Sequence, residues 1–435
     1  MLRAAHLLQL TVISLLGLAL VMVPSAGLSV EGHLAPTAFL KNRHTIYATL
    51  AIAALLLTSR IDARQLFFGR GLKNPVPWLI FLTVGLLVAT AVPGVGVTVN
   101  GARRWLPLWP QWGLTFQPSE MAKWAVVLAI ASWCARRRGV LGRFRYGLAP
   151  PLLLIATICG LIVISDLGTA VLVGLVGVGL LLAGGARLIH LIAIVPVGFA
   201  AIAFVIVRTP FRLARLTAFL DPWSDPAGTG YHPIQSMLAF ARGGLAGRGL
   251  GNGIQKFGYL PEDTTDFLFA IICEELGLCG AVLVVALYLL LLGAGIAVML
   301  DCRDVFGRLL TLGVLLAVGL QALINLAVVT VMMPTKGIAL PLLSAGGTGW
   351  ILTAGAIGLL ASLDEGNRKK GSDAAFPARR ERSVEGGRRE RSASGGNRHR
   401  AAQSAALRLR LDAANPDRAD CDTTHQPATP PVTGL

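Results

Sequence analysis

Charged residues are scarce in this chain. They make up 14% of its 435 residues, whereas 54% are hydrophobic and the mean hydropathy is +0.65. A soluble domain covers itself with polar side chains, and this composition does not supply enough of them. The scarcity therefore excludes an ordinary soluble fold, and the sequence predicts an integral membrane protein.

Cysteine is also rare, and the six cysteines form no CxxC pair and no CxxH spacing. None lies in a loop that we place outside the cell, so we expect neither disulfides nor a zinc site. A basic face interleaved with aromatic residues is missing too, although the net charge is +16. The positive charges lie in short loops and in one polar tail, so nucleic acid is not an expected partner.

Long hydrophobic runs are what the chain has in abundance. Each run is near the ~20 residues that a spanning helix needs. The fold class predicted is therefore an all-α polytopic membrane protein with about ten transmembrane helices. The first run lacks a small-residue cleavage site, so we interpret it as a helix rather than a signal peptide. The ten runs lie at about 8–30, 44–59, 75–96, 117–135, 146–164, 168–184, 188–207, 267–299, 307–332 and 348–363.

Lys and Arg are concentrated in alternate short loops, which orients the chain by the positive-inside rule. Both termini are then predicted to be cytoplasmic. Residues 1–363 form the membrane domain, and its one long connection, at about 208–266, faces the extracytoplasmic side. Because aromatic residues occur throughout that loop, we expect it to fold against the membrane surface. Residues 364–435 are basic and poor in apolar residues, which is typical of a disordered cytoplasmic tail.

Ionisable residues within a membrane domain are costly, so each one is a functional hypothesis. Glu120 and Lys123 lie three residues apart at the start of the fourth helix and can pair. Asp166 lies in a short outer turn, and Lys336 lies at an outer helix end. The alternative for the Glu120–Lys123 pair, that it only holds helices together, is about as probable as a functional role.

The long loop combines glycine-rich sequence at 243–253 with Arg248 and Lys256, which suits a phosphate group. A tight turn without a ligand is the alternative. Asp266 lies where this loop enters the eighth apolar helix. Partial burial there would raise its pKa toward that of a useful base, and a helix-capping role is compatible with this. The residues alone thus predict an outer-facing membrane site for a phosphorylated ligand.

The membrane part of the chain resembles the SEDS family (shape, elongation, division and sporulation). The Gln255-Lys256 pair before Tyr259–Glu262 and the Pro334–Gly337 stretch resemble the FtsW-type cell-division branch more than the RodA-type elongation branch. The resemblance departs from the family pattern at Ser165, His232-Pro233, Asp263-Thr264 and in the 344–349 stretch. The matching stretches are Asn100–Trp105, Gln117–Lys123, Asp166–Thr169, Ala218–Trp223, Gly251–Lys256, Tyr259–Glu262, Thr265–Phe267, Glu274–Gly277 and Pro334–Gly337.

The resemblance implies a peptidoglycan glycosyltransferase that polymerises lipid II by an inverting displacement. Asp266 would be the general base on the acceptor 4-hydroxyl, and polyprenyl pyrophosphate would leave. No cofactor is firmly implied, although a divalent cation such as Mg²⁺ or Mn²⁺ is a candidate. The residues expected to bind substrate or brace its cavity are Arg103, Glu120, Lys123, Asp166, Arg215, Gln235, Ser236, Arg248, Lys256, Glu262 and Lys336.

The same resemblance implies partners and a location. They are a class B penicillin-binding protein transpeptidase, other division proteins, and the bacterial inner membrane at the division septum. Two alternatives from other classes stay open. One is a lipid II flippase, which would typically show inverted repeats with broken helices. The other is a non-catalytic division scaffold, which would tolerate loss of Asp266.

Overall fold

The structure is a computed structural model, and it describes residues 3–27, 43–64, 74–99, 102–109, 111, 113–257, 260, 264–367, 403 and 406–407. The chain divides into two units, residues 1–368 and 369–435. The predicted tail lies almost wholly outside the described residues, so its disorder stays a prediction.

The described residues form twelve helices, and ten of these coincide with the ten apolar runs. The first seven are α1 Ala4–Ala26, α2 Arg43–Ser59, α3 Pro75–Ala91, α4 Pro118–Arg136, α5 Ala149–Val163, α6 Leu167–Ala183 and α7 Leu188–Val207. The other five are α8 Pro210–Leu220, α9 Tyr231–Gly243, α10 Leu268–Asp301, α11 Val305–Val329 and α12, residues 348–367. The predicted helical, multi-pass fold class is confirmed.

Not all ten of these helices are equally suited to cross a bilayer alone. Among the described residues, five segments are long and apolar enough, namely α1, α7, α10, α11 and α5 with its preceding π-helical turn. The apolar helices α3 and α6 are shorter, at 17 residues each. Helices this short reach across the hydrocarbon layer only where the bilayer or neighbouring helices compensate.

Several helix starts are set by local chemistry that the sequence displays. The side chain of Asn74 accepts a hydrogen bond from the Val76 backbone N–H, and Pro75 follows it as the first residue of α3. Asp304 caps α11 in the same way, by accepting from the Gly307 N–H at 2.7 Å. Such caps satisfy backbone donors that a helix leaves free at its first turn.

A small antiparallel sheet between α3 and α4 is an addition that the all-α prediction missed. Its strands are β1 Val97–Val99, β2 Ala102–Trp109 and β3 Leu114–Phe116, in the order β1-β2-β3. The Tyr47 hydroxyl of α2 donates to the Thr115 carbonyl at 3.0 Å and accepts from the Thr115 N–H at 2.9 Å. The sheet is therefore attached to the helices at a defined place.

Helix α11 lies at the centre of the membrane domain and packs against α4, α6 and α10. Gly313 permits the contact with α4 and α6, because a Cβ there would lie 2.6 Å from a Val127 methyl and 3.0 Å from a Leu180 methyl. Helix α1 packs along α10. Helix α11 therefore lies close enough to its neighbours for its side chains to reach them.

The long connection predicted at 208–266 is folded over its described residues, with α8, a short 3₁₀ turn and α9. Helix α9 packs against α10. Helix α10 is itself broken at Gly277, whose φ of 66° and ψ of −156° are not helical. A Cβ at that position would collide with the Gly247 backbone nitrogen, so glycine is required for the loop to close against the break.

Candidate functional site

Asp266 lies in the turn that ends the long connection, immediately before α10. Its backbone carbonyl accepts a hydrogen bond from the Asn325 side-chain amide at 2.8 Å. The same amide donates to the Ile338 carbonyl, also at 2.8 Å. Asn325 is buried in α11, so this helix holds Asp266 beside residues 334–346, which we call the return segment.

The Asp266 carboxylate and the Arg104 guanidinium meet at Gly337 of the return segment. A Cβ on Gly337 would lie 3.4 Å from Asp266 Oδ2 and 3.1 Å from Arg104 Nη1. A side chain at this position would therefore crowd the Arg104 guanidinium and come into contact with the Asp266 carboxylate. Because Gly337 has no side chain, the half-buried Asp266 and the Arg104 guanidinium can both lie next to it.

Arg104 also reaches the turn before α6. Its Nε donates to the Ser165 carbonyl at 2.8 Å, and its Nη1 lies 3.7 Å from Asp166 Oδ2. Asp166 caps α6 by accepting from the Thr169 N–H at 3.0 Å and from the Thr169 hydroxyl at 2.8 Å. Only 3% of Asp166 is exposed, so it supplies a fixed negative charge next to the Arg104 guanidinium.

Two more cations lie within the field of Asp166. Burial lowers the pKa of Lys336, and the negative charge of Asp166 acts in the opposite direction. Burial and then the nearby Arg104 charge lower the pKa of Arg212, again opposed by Asp166. Arg212 also donates to the Val163 carbonyl at 2.9 Å.

We call Asp266, Asp166, Arg104, Arg212 and Lys336 together the Asp266 site. It holds three cations and two carboxylates, so its net charge is positive when all five are ionised. Cations in this arrangement bind an anionic group such as a phosphate. A half-buried carboxylate beside them can accept a proton from a hydroxyl placed in the same space.

The Glu120–Lys123 pair forms as predicted, deeper in the helices. Lys123 Nζ lies 2.8 Å from Glu120 Oε2 and donates to Gln321 Oε1 at 2.6 Å. Gln321 Nε2 in turn donates to the Ala339 carbonyl of the return segment at 2.8 Å. Because Gln321 and Asn325 lie four residues apart on α11, one face of this helix joins the buried pair to the Asp266 site.

Two adjacent carboxylates of α10, Glu274 and Glu275, bind the end of the glycine-rich loop. Glu274 accepts from the Ile254 and Gln255 backbone N–H groups at 3.0 and 3.1 Å. Glu275 pairs with Lys256 at 2.8 Å, with both side chains fully buried, and it also accepts from the Ser25 hydroxyl of α1. This placement favours a bracing role for Lys256 over the phosphate contact predicted from the sequence.

Other predicted site residues are placed apart from the Asp266 site or face elsewhere. Arg103 is exposed, and it is the next residue, Arg104, that turns toward Asp166. Successive residues of a strand face opposite sides, which separates the two arginines. Similarly, Arg215 stacks over Phe211 at 4.2 Å on the helix that presents Arg212.

The remaining predictions concern the long connection. Ser236 is fully buried and donates to the Val329 carbonyl at 2.6 Å, which makes it an anchor of α9 rather than a group open to substrate. Gln235 is half-buried on the same helix, and Arg248 is exposed in the glycine-rich loop. Glu262 lies outside the described residues.

Sequence reasoning did not single out Arg104, Arg212 or Asn325 as site residues. A strand over 102–109 would have put Arg103 and Arg104 on opposite faces of the sheet, with Arg103 on the face of Trp105 and Trp109. The amphipathic α8, with Arg212 and Arg215 three residues apart, offered a second signal. A lone buried asparagine in an apolar helix is a third.

Three departures from the family pattern act here through the backbone. The Ser165 carbonyl receives Arg104, and the Ser165 N–H donates to the Ile162 carbonyl at 3.0 Å, a bond that proline could not make. The Thr264 carbonyl accepts from the Ala345 N–H at 2.9 Å. Backbone contacts of this kind tolerate a change of side chain.

Within the part of the chain that the structure describes, no three His, Cys, Asp or Glu side chains cluster as metal ligands. The two carboxylates of the Asp266 site share it with three cations, which would repel a divalent ion. The Mg²⁺ or Mn²⁺ suggested by the resemblance therefore finds no matching donor set among these residues.

Fold and site together define a multi-pass helical membrane protein with a cationic site beside an aspartate. The chain belongs to the FtsW/RodA/SpoVE family, whose model, described as "Cell cycle protein", matches residues 5–369. This is the SEDS family that the sequence motifs indicated.

Named relatives agree with this membership. The chain is 42% identical over 360 residues to "Probable peptidoglycan glycosyltransferase FtsW" of Thioalkalivibrio sulfidiphilus, covering 81% of this chain and 87% of the relative. It is 39% identical over 335 residues to the protein of the same name in Geobacter metallireducens, covering 77% and 86%.

Solved structures share the fold. One is a chain of a structure described as "Structural coordination of polymerization and crosslinking by a peptidoglycan synthase complex", with TM-score 0.64, 29% identity and coverage of 83% of this chain and 97% of that one. Another is the rod shape determining protein RodA of Thermus thermophilus, with TM-score 0.59, 27% identity and coverage of 82% and 95%.

Proposed function

We propose that this protein is a peptidoglycan glycosyltransferase that polymerises lipid II into glycan strands during cell division. The observation that carries the proposal is the Asp266 carboxylate beside Arg104 at Gly337, with Lys336 and Arg212 close by. A base and a cluster of cations are the two elements that transfer from a pyrophosphate-linked sugar requires. The names of the relatives at 39% and 42% identity support the same activity.

In the proposed reaction, Asp266 accepts the proton of the acceptor sugar's 4-hydroxyl as that oxygen attacks the anomeric carbon of the donor. The new C–O bond forms on the face opposite the pyrophosphate, and the bond to the pyrophosphate oxygen breaks. The electron pair leaves with the polyprenyl pyrophosphate, so a single displacement inverts the anomeric centre. The proton stays on the aspartate until solvent removes it.

The leaving pyrophosphate gains negative charge, and cations held in place stabilise that charge without reorganising during the reaction. Arg104, Arg212 and Lys336 are the groups of this chain suited to that role. Asp166 lies behind them and favours their charged forms. The buried Glu120–Lys123 pair keeps α4, α11 and the return segment in register.

The proposal extends to topology and partners. The concentration of Lys and Arg in alternate loops supports cytoplasmic termini and an extracytoplasmic Asp266 site. A class B penicillin-binding protein is the proposed partner, because one structural relative belongs to a complex described as coordinating polymerization and crosslinking. The FtsW names support a location at the septum of the inner membrane, with other division proteins.

The test is reconstitution of the purified protein with its transpeptidase partner in liposomes that contain fluorescent lipid II. If the protein polymerises lipid II, gel electrophoresis should show glycan strands whose amount increases with the enzyme concentration. Movement of lipid II between leaflets without strand formation would instead support the flippase alternative. Recruitment of the partner with neither activity would support the scaffold alternative.

A further inference from the structure

A cavity separate from the Asp266 site lies among the ends of α2, α4 and α11. It has a volume of about 260 Å³. Its lining residues are three charged ones, Arg64, Arg138 and Asp304, and three apolar ones, Ala135, Val305 and Phe306. None of these residues belongs to the Asp266 site, although Ala135 lies in α4 and Val305 and Phe306 lie in α11.

The acidic group of the cavity is already neutralised. Asp304 Oδ1 lies 2.6 Å from Arg64 Nε, and Asp304 Oδ2 accepts from the Gly307 N–H. Besides this ion pair, Arg64 Nη2 donates a hydrogen bond to the Asn367 side-chain oxygen of α12. Arg64 also forms a side-chain hydrogen bond with Cys302. A guanidinium carries five N–H donors, and these three contacts do not use them all.

Arg138 forms the opposite charged wall and differs from its neighbours. It makes no hydrogen bond or ion pair with any residue in the described ranges, and it is exposed. The adjacent Arg137 instead lies over the Trp133 ring at 4.4 Å. The lining therefore carries two guanidinium groups and one carboxylate, a net positive charge with unused donors.

We propose that this cavity binds the phosphate of an anionic glycerophospholipid, which Arg138 and the remaining donors of Arg64 hold. Guanidinium groups match phosphate oxygens in geometry and charge. The wall of Ala135, Val305 and Phe306 lies beside them and suits the glycerol backbone and the first acyl carbons. Basic pockets between the ends of spanning helices bind acidic lipid headgroups for this reason.

Such a lipid would tie together the ends of three helices, two of which, α4 and α11, reach the Asp266 site through Lys123 and Asn325. The inference does not depend on the proposed transfer reaction, since binding is measured directly. A soluble phosphate ester shares the headgroup chemistry but not the apolar part, and this difference separates the two sources of phosphate.

The experiment is native mass spectrometry of the purified full-length protein, titrated with phosphatidylglycerol, with phosphatidylcholine of the same acyl chains, and with glycerol 3-phosphate. For the tightest phosphatidylglycerol site we expect binding to weaken about tenfold or more in Arg138→Gln, because a charge-assisted bidentate contact is lost. Arg138→Lys keeps the charge but not the fork, so it should fall between wild type and Arg138→Gln.

Arg143→Gln is the matched control, because Arg143 is another exposed arginine whose side chain makes no hydrogen bond or ion pair with the described residues, and it does not line the cavity. It should bind phosphatidylglycerol as wild type does. If glycerol 3-phosphate competes as well as the lipid, the cavity is still a phosphate site, but the proposal that its ligand is a lipid is overturned. Equal phosphatidylglycerol binding by Arg138→Gln and Arg143→Gln would overturn the proposal.

Discussion

The buried Lys256–Glu275 pair allows a prediction whose size follows from the structure. Lys256→Met removes the cation and leaves the carboxylate fully buried, with Ser25 as its hydrogen-bond donor in the described structure. An uncompensated charge in such a place typically destabilises a protein by about 3–5 kcal/mol. We therefore expect Lys256→Met to lower the free energy of unfolding by about that amount.

The double variant Lys256→Met with Glu275→Gln removes both charges and keeps a group that can accept from Ser25. Replacing a buried ion pair as a whole is often nearly neutral, so we expect the double variant to unfold within about 1–2 kcal/mol of wild type. The two changes should then be non-additive, with a coupling energy of about 2 kcal/mol or more.

Unfolding would be followed by tryptophan fluorescence during titration of detergent-solubilised protein with sodium dodecyl sulfate. Additive effects, or a Lys256→Met variant within about 0.5 kcal/mol of wild type, would refute the bracing interpretation. The polymerisation activity of the double variant is a second test of the bracing interpretation. Activity near that of wild type agrees with a brace, whereas a stable but inactive double variant would return Lys256 to the role of phosphate ligand.

Three further predictions concern the Asp266 site and the topology. Gly337→Ala should reduce the polymerisation rate about tenfold or more while the membrane level of the protein is unchanged, because the new methyl group crowds Arg104 and displaces it next to Asp266; a wild-type rate would contradict this contact. Because burial lowers the pKa of Lys336, its charge is lost as pH rises through that lowered value, so activity should decline on the alkaline side. In Lys336→Arg this decline should move to higher pH, and an unchanged pH profile would exclude Lys336 as its cause. A cysteine introduced by Ser224→Cys should react with an impermeant maleimide in intact cells and one introduced by Arg143→Cys should not, and the reverse result would invert the topology.

The sequence predicted the helices well because apolar runs of suitable length have few alternatives in a membrane protein. It did not predict the sheet at 97–116, whose strands of three and eight residues lie in a loop and pair through a bulge. It also did not predict the break at Gly277, because a single glycine in an apolar run is compatible with an unbroken helix.

The site was predicted in part, for a similar reason. The scarcity of ionisable residues in the membrane domain, together with motif resemblance, identified Asp266, Asp166 and Lys336, which the structure brings to one place. The direction of each side chain depends on strand and helix register, so the sequence indicated Arg103 and Arg215 where Arg104 and Arg212 face the site. Such choices are fixed by packing between distant segments, which one sequence without its fold does not reveal.

The most direct test of the account is the polymerisation rate of Asp266→Asn and Asp266→Glu, each at wild-type membrane levels and with the transpeptidase partner present. Asparagine keeps the size and the backbone contact to Asn325 but cannot accept the proton, so we predict a loss of ~100-fold or more with lipid II binding retained. Glutamate keeps a displaced proton acceptor and should be impaired, yet faster than asparagine. Glycan strands made by Asp266→Asn at the wild-type rate would contradict the central claim that Asp266 is the catalytic base.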